Sequence, residues 1–173
     1  MKIKIFRYSS KFPKIFGKER QKIIKVINNN DIHHIGSTAV PGLGGKGIVD
    51  IMIGIKSWKG ATDIVKKLKK IGFKHVHHKE KGRLFLSKSH EPTPDSVNVH
   101  IVRKGSKQYK ELLFFRDYLR KNKREVKKLF KLKIEWFKEA KRNRERYFKL
   151  KEKYVKEILK RLNPKKKYEN KNL

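Results

Sequence analysis

Through the first hundred residues of this chain, apolar positions alternate between helix-like and strand-like rhythms; after that they are helix-like throughout. Residues 2–7 (KIKIFR) alternate apolar and basic, which predicts a strand. Phe12 to Asn28 reads as a helix with an apolar stripe of Ile15, Ile23, Ile24 and Ile27, stopped by three consecutive asparagines. Asp31 to Ile35 is a short run leading into Gly36-Ser37-Thr38, and the glycines and proline between Val40 and Gly47 predict a loop. Ile48 to Ile55 (IVDIMIGI) is apolar except for Asp50, the pattern of a strand buried on both faces. Trp58 to Ile71 follows as a helix, with Ser57 as its N-cap and Gly72 at the left-handed position after its end. Phe73 to His77 and Arg83 to Ser87 predict two strands, 90–95 (HEPTPD) a loop, and Ser96 to Val102 a further strand. Three helices complete the chain, over Ser106–Lys121, Lys123–Glu139 and Lys141–Leu162, before a frayed tail. The order, mixed first and then all helical, predicts an α+β fold. It divides the chain into an α/β core over residues 1–104 and a basic helical extension over 105–173, packed together as one unit.

Composition narrows the class. A chain of 173 residues with 36% hydrophobic content suits one domain with a real core. There is no cysteine, which excludes disulfides and thiolate metal sites. No apolar run is long enough for a signal peptide or a membrane span, so a soluble cytoplasmic protein without a membrane partner is expected. The charge is extreme. Lys and Arg number 49 against 16 Asp and Glu, a net +33, with +14 in residues 1–102 and +19 in residues 103–173. Such a surface attracts RNA or another polyanion through counterion release. The abundance of Lys, Ile and Asn is equally what an AT-rich genome would encode.

Candidate chemistry concentrates between residues 34 and 50. A Gly36-Ser37 pair after a short strand can offer backbone N–H groups and a hydroxyl to a phosphate. A little further on, Asp50 interrupts an apolar strand, where a carboxylate is costly unless paired or bound to a metal. A phosphate-binding loop facing such a carboxylate is the minimal apparatus for metal-assisted nucleotidyl transfer. Pairing of Asp50 with Lys46 or Arg83 is the structural alternative.

This stretch resembles the GrpB family, whose signature reads roughly H-I-G-S-T-[AS]-V-P-G-L-x-x-K-x-I-[IV]-D-I. His34 to Leu43, Lys46 and Ile48 to Ile51 match it, with Gly47 in place of the usual proline. Phe115-Arg116-Asp117-Tyr118-Leu119-Arg120 resembles that family's F-R-D-Y-L-R motif, and Tyr147 to Lys151 its C-terminal Y-x-x-x-K helix. The similarity runs over about residues 6–162. It implies a nucleotidyltransferase-like fold: a mixed sheet of about five strands with two flanking helices, followed by three helices packed against it. That superfamily's pattern is Gly-Ser, then Asp-x-Asp/Glu on the next strand, then a third acid on a later strand. Here Met52 stands at the second acidic position. The later strand offers Asn98 and His100, with Asp95 only in the loop before it.

The resemblance places a cleft between the Gly36-Ser37 turn, Asp50, His100 and the first C-terminal helix. It implies phosphate contacts from Gly36, Ser37, Thr38, Lys46, Arg83, Arg116 and Arg120. Arg116 and Arg120 are four apart on one helix and could grip a phosphate together, or dock the helix through Asp117. Asp50 and His100 are the expected catalytic pair and the ligands of Mg2+ or Mn2+. Two functions follow. One is metal-dependent nucleotidyl transfer from a nucleoside triphosphate to an unknown acceptor. The other is a nucleotide, phosphate or RNA-binding module whose catalytic site is degenerate. Trp136, Phe137, Tyr147, Phe148 and Tyr154 are expected to pack the helices.

Overall fold

The computed structural model describes residues 4–80, 82–89, 95–141 and 143–162. The expected loop over 90–95, apart from Asp95, and the expected tail after Leu162 lie outside these residues. So does the start of the expected strand over 2–7, of which Phe6 makes one isolated bridge to Gly45.

Helix α1 (Lys11–Ile27) ends where Asn28 turns left-handed at φ 49° and returns its N–H to the Ile24 carbonyl. Strand β1 (Ile32–Ile35) leads into a 3-10 turn at Ser37–Ala39, and β2 (Val49–Ile55) follows the glycine-rich loop. Helix α2 (Ala61–Lys70) starts three residues later than the sequence pattern suggests. Gly60, at φ 84°, occupies the cap position in place of Ser57, and Trp58 remains outside the helix, 39% exposed. Strands β3 (His75–Glu80), β4 (Arg83–Ser87) and β5 (Val97–Arg103) precede α3 (Lys107–Lys121), α4 (Lys123–Glu139) and α5 (Arg144–Leu162). Ser106 caps α3 by accepting the Tyr109 N–H at 3.2 Å. No helix among the described residues is long and apolar enough to cross a membrane.

The five strands form one mixed sheet in the order β1-β2-β5-β4-β3. β2 and β5 run parallel at its centre, and the other neighbours are antiparallel. The architecture is the α+β arrangement expected from the sequence, five strands and two helices followed by three more helices.

Register sorts the side chains, because residues directly opposed across strands share a face. On one face Val49, Ile51, Ile53 and Ile55 meet Val97, Val99 and Ile101, and α1 and α2 close over them through Phe12, Ile23, Ala61 and Leu68. On the other face Asp50, Met52 and Gly54 stand beside Asn98, His100 and Val102, with Ser87, Phe85 and Arg83 alongside from β4. Helix α3 covers part of this second face, setting Tyr109, Leu112 and Leu113 on Ile35, Met52 and Val102. α4 and α5 then pack in a separate core with Val40, Leu43 and Leu119, built on Val126, Leu129, Trp136, Tyr147, Tyr154 and Ile158. Burial of Trp136, Tyr147 and Tyr154 is the packing role expected of them.

Candidate functional site

The polar part of the second sheet face lies beyond the apolar patch under α3, with Asn98 buried and Asp50 and His100 partly exposed. Asp50 points into it from β2. Its Oδ1 accepts from Asn98 Nδ2 at 3.1 Å and from His100 Nε2 at 3.3 Å, both on the neighbouring β5. These β5 hydrogen bonds stand beside the charge of Lys46, which the sequence suggested as a partner for Asp50. The carboxylate is deep, yet 27% of its side-chain surface remains exposed. Burial works against its ionisation. The His100 hydrogen bond, and the charges of His100, Lys46 and Lys151, outweigh that and hold the Asp50 carboxyl below its ordinary range. His100 Nδ1 is buried and has no hydrogen-bond partner among the described residues.

Gly36 is the hinge between β1 and Ser37. It sits at φ 73°, ψ −169°, and a Cβ there would come 2.6 Å from Asp50 Oδ2. The glycine therefore lets the turn close directly onto the carboxylate. Ser37, half-buried, faces a residue that the sequence reading passed over. Lys133 of α4 is 2% exposed, and its Nζ donates to Ser37 Oγ at 2.5 Å and to the Gly44 carbonyl at 2.8 Å. Gly45 keeps this approach open, since a Cβ there would lie 3.1 Å from Ser37 Oγ and 3.2 Å from Lys133 Nζ. Burial, and then the neighbouring charges of Lys151 and Lys46, push the Lys133 ammonium well below the ordinary lysine range, opposed only by Asp50. Lys151 of α5 is shifted down by burial as well; Asp50 opposes the shift and Arg83 adds to it. Lys46 lies over the Phe148 ring of α5 at 4.3 Å.

The wall of the cleft opposite the sheet is thus made by α4 and α5, the second and third C-terminal helices, rather than by the first. A signal for this was present. The buried positions of α4 are Val126, Leu129, Lys133 and Trp136, followed by Ala140 just past its end, at spacings of three and four. In α5, Lys151 falls in the same kind of stripe with Tyr147, Tyr154 and Ile158. A lysine on the apolar face of a helix is the mark of a cation brought inward.

Three residues expected at the phosphate have other partners. Thr38 is 2% exposed; it donates to the Ile48 carbonyl at 3.1 Å and accepts from His34 Nε2 at 3.0 Å. Arg116 grips Asp117 with two nitrogens, at 2.8 and 3.0 Å, and donates its third to the His34 carbonyl at 3.1 Å. Arg120 donates to the Ala39 carbonyl at 2.8 Å. The two arginines fasten α3 to the segment around the Gly36-Ser37 turn. Arg83 stands on β4 opposite Val102, half-buried and within electrostatic reach of Lys151. A groove of about 500 Å3 between α4 and α5, lined chiefly by Leu132, Trp136, Leu150, Tyr154 and Ile158, shares no residue with this cluster.

His34 carries a consequence for stability. It is 6% exposed and stacked on Phe16 at 4.8 Å, and burial followed by the Arg120 charge lowers its pKa to about 4 from an ordinary 6.5. The unfolded chain therefore binds a proton that the folded chain refuses between those values. Stability rises with pH through that window and is lost as the pH falls from 6.5 towards 4, by on the order of 3 kcal/mol. His34→Gln keeps a donor for Thr38 and is expected to flatten that slope. Urea unfolding at pH 7 and pH 4.5 in both proteins measures it, and an unchanged slope in the variant would refute the assignment.

A mixed sheet with Gly36-Ser37 at the end of one strand and Asp50 on the next defines a nucleotidyltransferase-like fold. The fold aligns at TM-score 0.51 with a cytoplasmic RNA terminal U-transferase, at 15% identity, over 73% of this chain and 41% of that one. The chain belongs to the GrpB protein family, which it matches over residues 2–161. It is 30% identical to a UPF0157 protein of Halalkalibacterium halodurans over 167 residues, 93% of this chain and 83% of that one. The crystal structure of GrpB from Enterococcus faecalis superposes at TM-score 0.79 with 24% identity, covering 91% of this chain and 96% of that one. At Gly47, where the resemblance leads one to expect proline, φ is +75°, a value that the proline ring forbids.

Proposed function

We propose that this chain recognises phosphate: it binds a nucleotide, or another phosphorylated small molecule, by a phosphate held among Ser37, Lys133, Lys46 and Lys151. The observation that carries this reading is Lys133. A lysine 2% exposed is expensive to bury, and here it is aimed at the hydroxyl of the half-buried Ser37 and at the Gly44 carbonyl rather than at a carboxylate. An anion entering the cleft would complete its coordination. With the Ser37 oxygen accepting from Lys133, the hydroxyl hydrogen is left to donate to that anion. Gly36 allows close approach, and Arg83 adds charge on the sheet side. Thr38, Arg116 and Arg120 are assigned to docking the turn and α3. Action in the cytoplasm is consistent with such a ligand.

Nucleotidyl transfer from a nucleoside triphosphate, with Mg2+ or Mn2+ on Asp50 and His100, is the fuller form of the reading. The donor set does not fit a two-ion centre, because Met52 fills the second acidic position and is completely buried against Ile35 and Val102. Among the described residues no three His, Asp or Glu side chains converge. A binding role is therefore favoured over two-ion transfer. A second reading takes the phosphate from an RNA end, because α4 and α5 supply both Lys133 and Lys151 and lie in the segment with a net charge of +19.

A thermal-shift series in moderate salt with ATP, GTP, CTP, UTP and inorganic phosphate tests the proposal. A ligand at a hundred times its Kd adds about 2.7 kcal/mol, roughly 5–11 °C for a domain of this size. If none of them shifts the transition, the reading fails. An RNA oligonucleotide whose binding requires its terminal phosphate would favour the second reading.

A further inference from the structure

Proteins of this fold class are expected to neutralise a bound triphosphate with divalent ions held by carboxylates. In this chain Met52 stands at the second acidic position and Asn98 and His100 on the later strand, while lysines from the glycine-rich loop, α4 and α5 gather around the remaining carboxylate. Asp50 is the sole acid in the cluster among the described residues. Its Oδ1 already accepts two hydrogen bonds, and an ion placed between it and His100 Nε2 would have to displace the bond that joins them. Around it stand Lys133, Lys46 and Lys151, near enough to one another for the last two to disfavour the charge on the first, and Arg83, near enough to disfavour that of Lys151. Such a field repels a dication and attracts a phosphate. Lys133 is also restrained as a ligand group should be. Two of its three N–H donors are used on Ser37 Oγ and the Gly44 carbonyl, which fixes the ammonium in place, and the third is taken by no described residue.

Resting on the phosphate reading above, we propose that the ligand binds as an uncomplexed terminal phosphate, with Lys133, Lys46 and Lys151 supplying the neutralisation that metal ions supply elsewhere. The substrate class is then a phosphomonoester or a metal-free polyphosphate, both of which present the same dianionic end. Magnesium acts on this site as a competitor, because it withdraws the phosphate charge that the lysines need.

The test is isothermal titration of the full chain with inorganic phosphate, AMP and ATP, each in EDTA and again in MgCl2 at matched ionic strength. The expected result is full binding in EDTA, with ATP weakened several-fold by Mg2+ and AMP nearly unaffected. Equal affinities for AMP and ATP in EDTA assign recognition to the terminal phosphate alone; tighter ATP binding assigns it to the polyphosphate. Binding that appears only with Mg2+ or Mn2+ overturns this inference and leaves the phosphate reading standing. No binding under any condition overturns both. Lys133→Gln is expected to weaken binding in EDTA by about 30-fold or more. Lys46→Gln, at a half-buried position, is expected to weaken it in the same direction. A folded pair of variants that bind like wild type would sink the lysine assignment.

Discussion

Lys133→Met is expected to give a protein at least as stable as wild type that has lost its phosphate site. The two halves of this result have separate causes. Burying an ammonium costs several kcal/mol of hydration, a cost that an apolar side chain of similar length does not meet. Methionine fits the slot because it is unbranched and follows the same flexible stem from the buried stripe of α4. Against this, the Gly44 carbonyl loses its donor, a penalty of about 1–3 kcal/mol if no water replaces it. The Ser37 hydroxyl is half-buried and can turn to solvent. The balance lies near zero or slightly on the stabilising side. Binding responds differently. Removing one charged partner of a buried contact costs about 2–5 kcal/mol, roughly 30-fold to 4,000-fold in Kd. Urea unfolding and a phosphate titration on one preparation read both halves. A folded variant that still binds phosphate as tightly as wild type would remove Lys133 from the site. A variant that fails to fold would show the residue to be a structural donor first.

Gly36→Ala is expected to destabilise the chain by about 3 kcal/mol or more, a fall in Tm of roughly 6–12 °C. Two costs add. The backbone at φ 73°, ψ −169° lies in a region that residues with a Cβ almost never occupy. The new methyl group would also sit 2.6 Å from Asp50 Oδ2, so either the turn or the carboxylate must move. Gly60→Ala is the first control. It has φ 84°, ψ 0°, the milder left-handed region, with nothing within 4 Å of the added carbon, so it carries only a modest backbone strain and sets a lower bound. Gly17→Ala is the opposite control: a helix-interior glycine facing open space, where alanine is expected to stabilise by about 0.5–1 kcal/mol. Thermal unfolding of the three variants orders them. If Gly36→Ala costs no more than Gly60→Ala, neither the Gly36 backbone nor the contact with Asp50 demands the glycine.

What was legible in the sequence was whatever depends on neighbours along the chain. The 3-and-4 spacing in α4 gave its limits at Lys123 and Glu139, as expected. The IVDIMIGI run identified the central strand, and alternation identified β5 beside it. Asp50 stood out because a carboxylate in an apolar strand needs a reason to be there. The start of α2 was misplaced because Ser57 carries a capping side chain, whereas the turn is made by the left-handed backbone of Gly60.

The composition of the site was settled by contacts between residues some ninety positions apart, and chain-local reasoning has no access to those. In a chain with 49 basic residues, one more lysine in a helix reads as a solvated charge. Only the docking of α4 against the glycine-rich loop turns Lys133 inward onto Ser37 and Gly44. The same docking commits Arg116 and Arg120 to backbone carbonyls at His34 and Ala39, although their spacing alone suited a phosphate clamp. The sequence by itself determined the elements, their order and the apolar stripe on each helix, because propensity and periodicity are local. Which charged groups face the cleft, and which fasten its walls, was decided by tertiary packing, because a buried charge is tolerated only where the opposing surface supplies its partners.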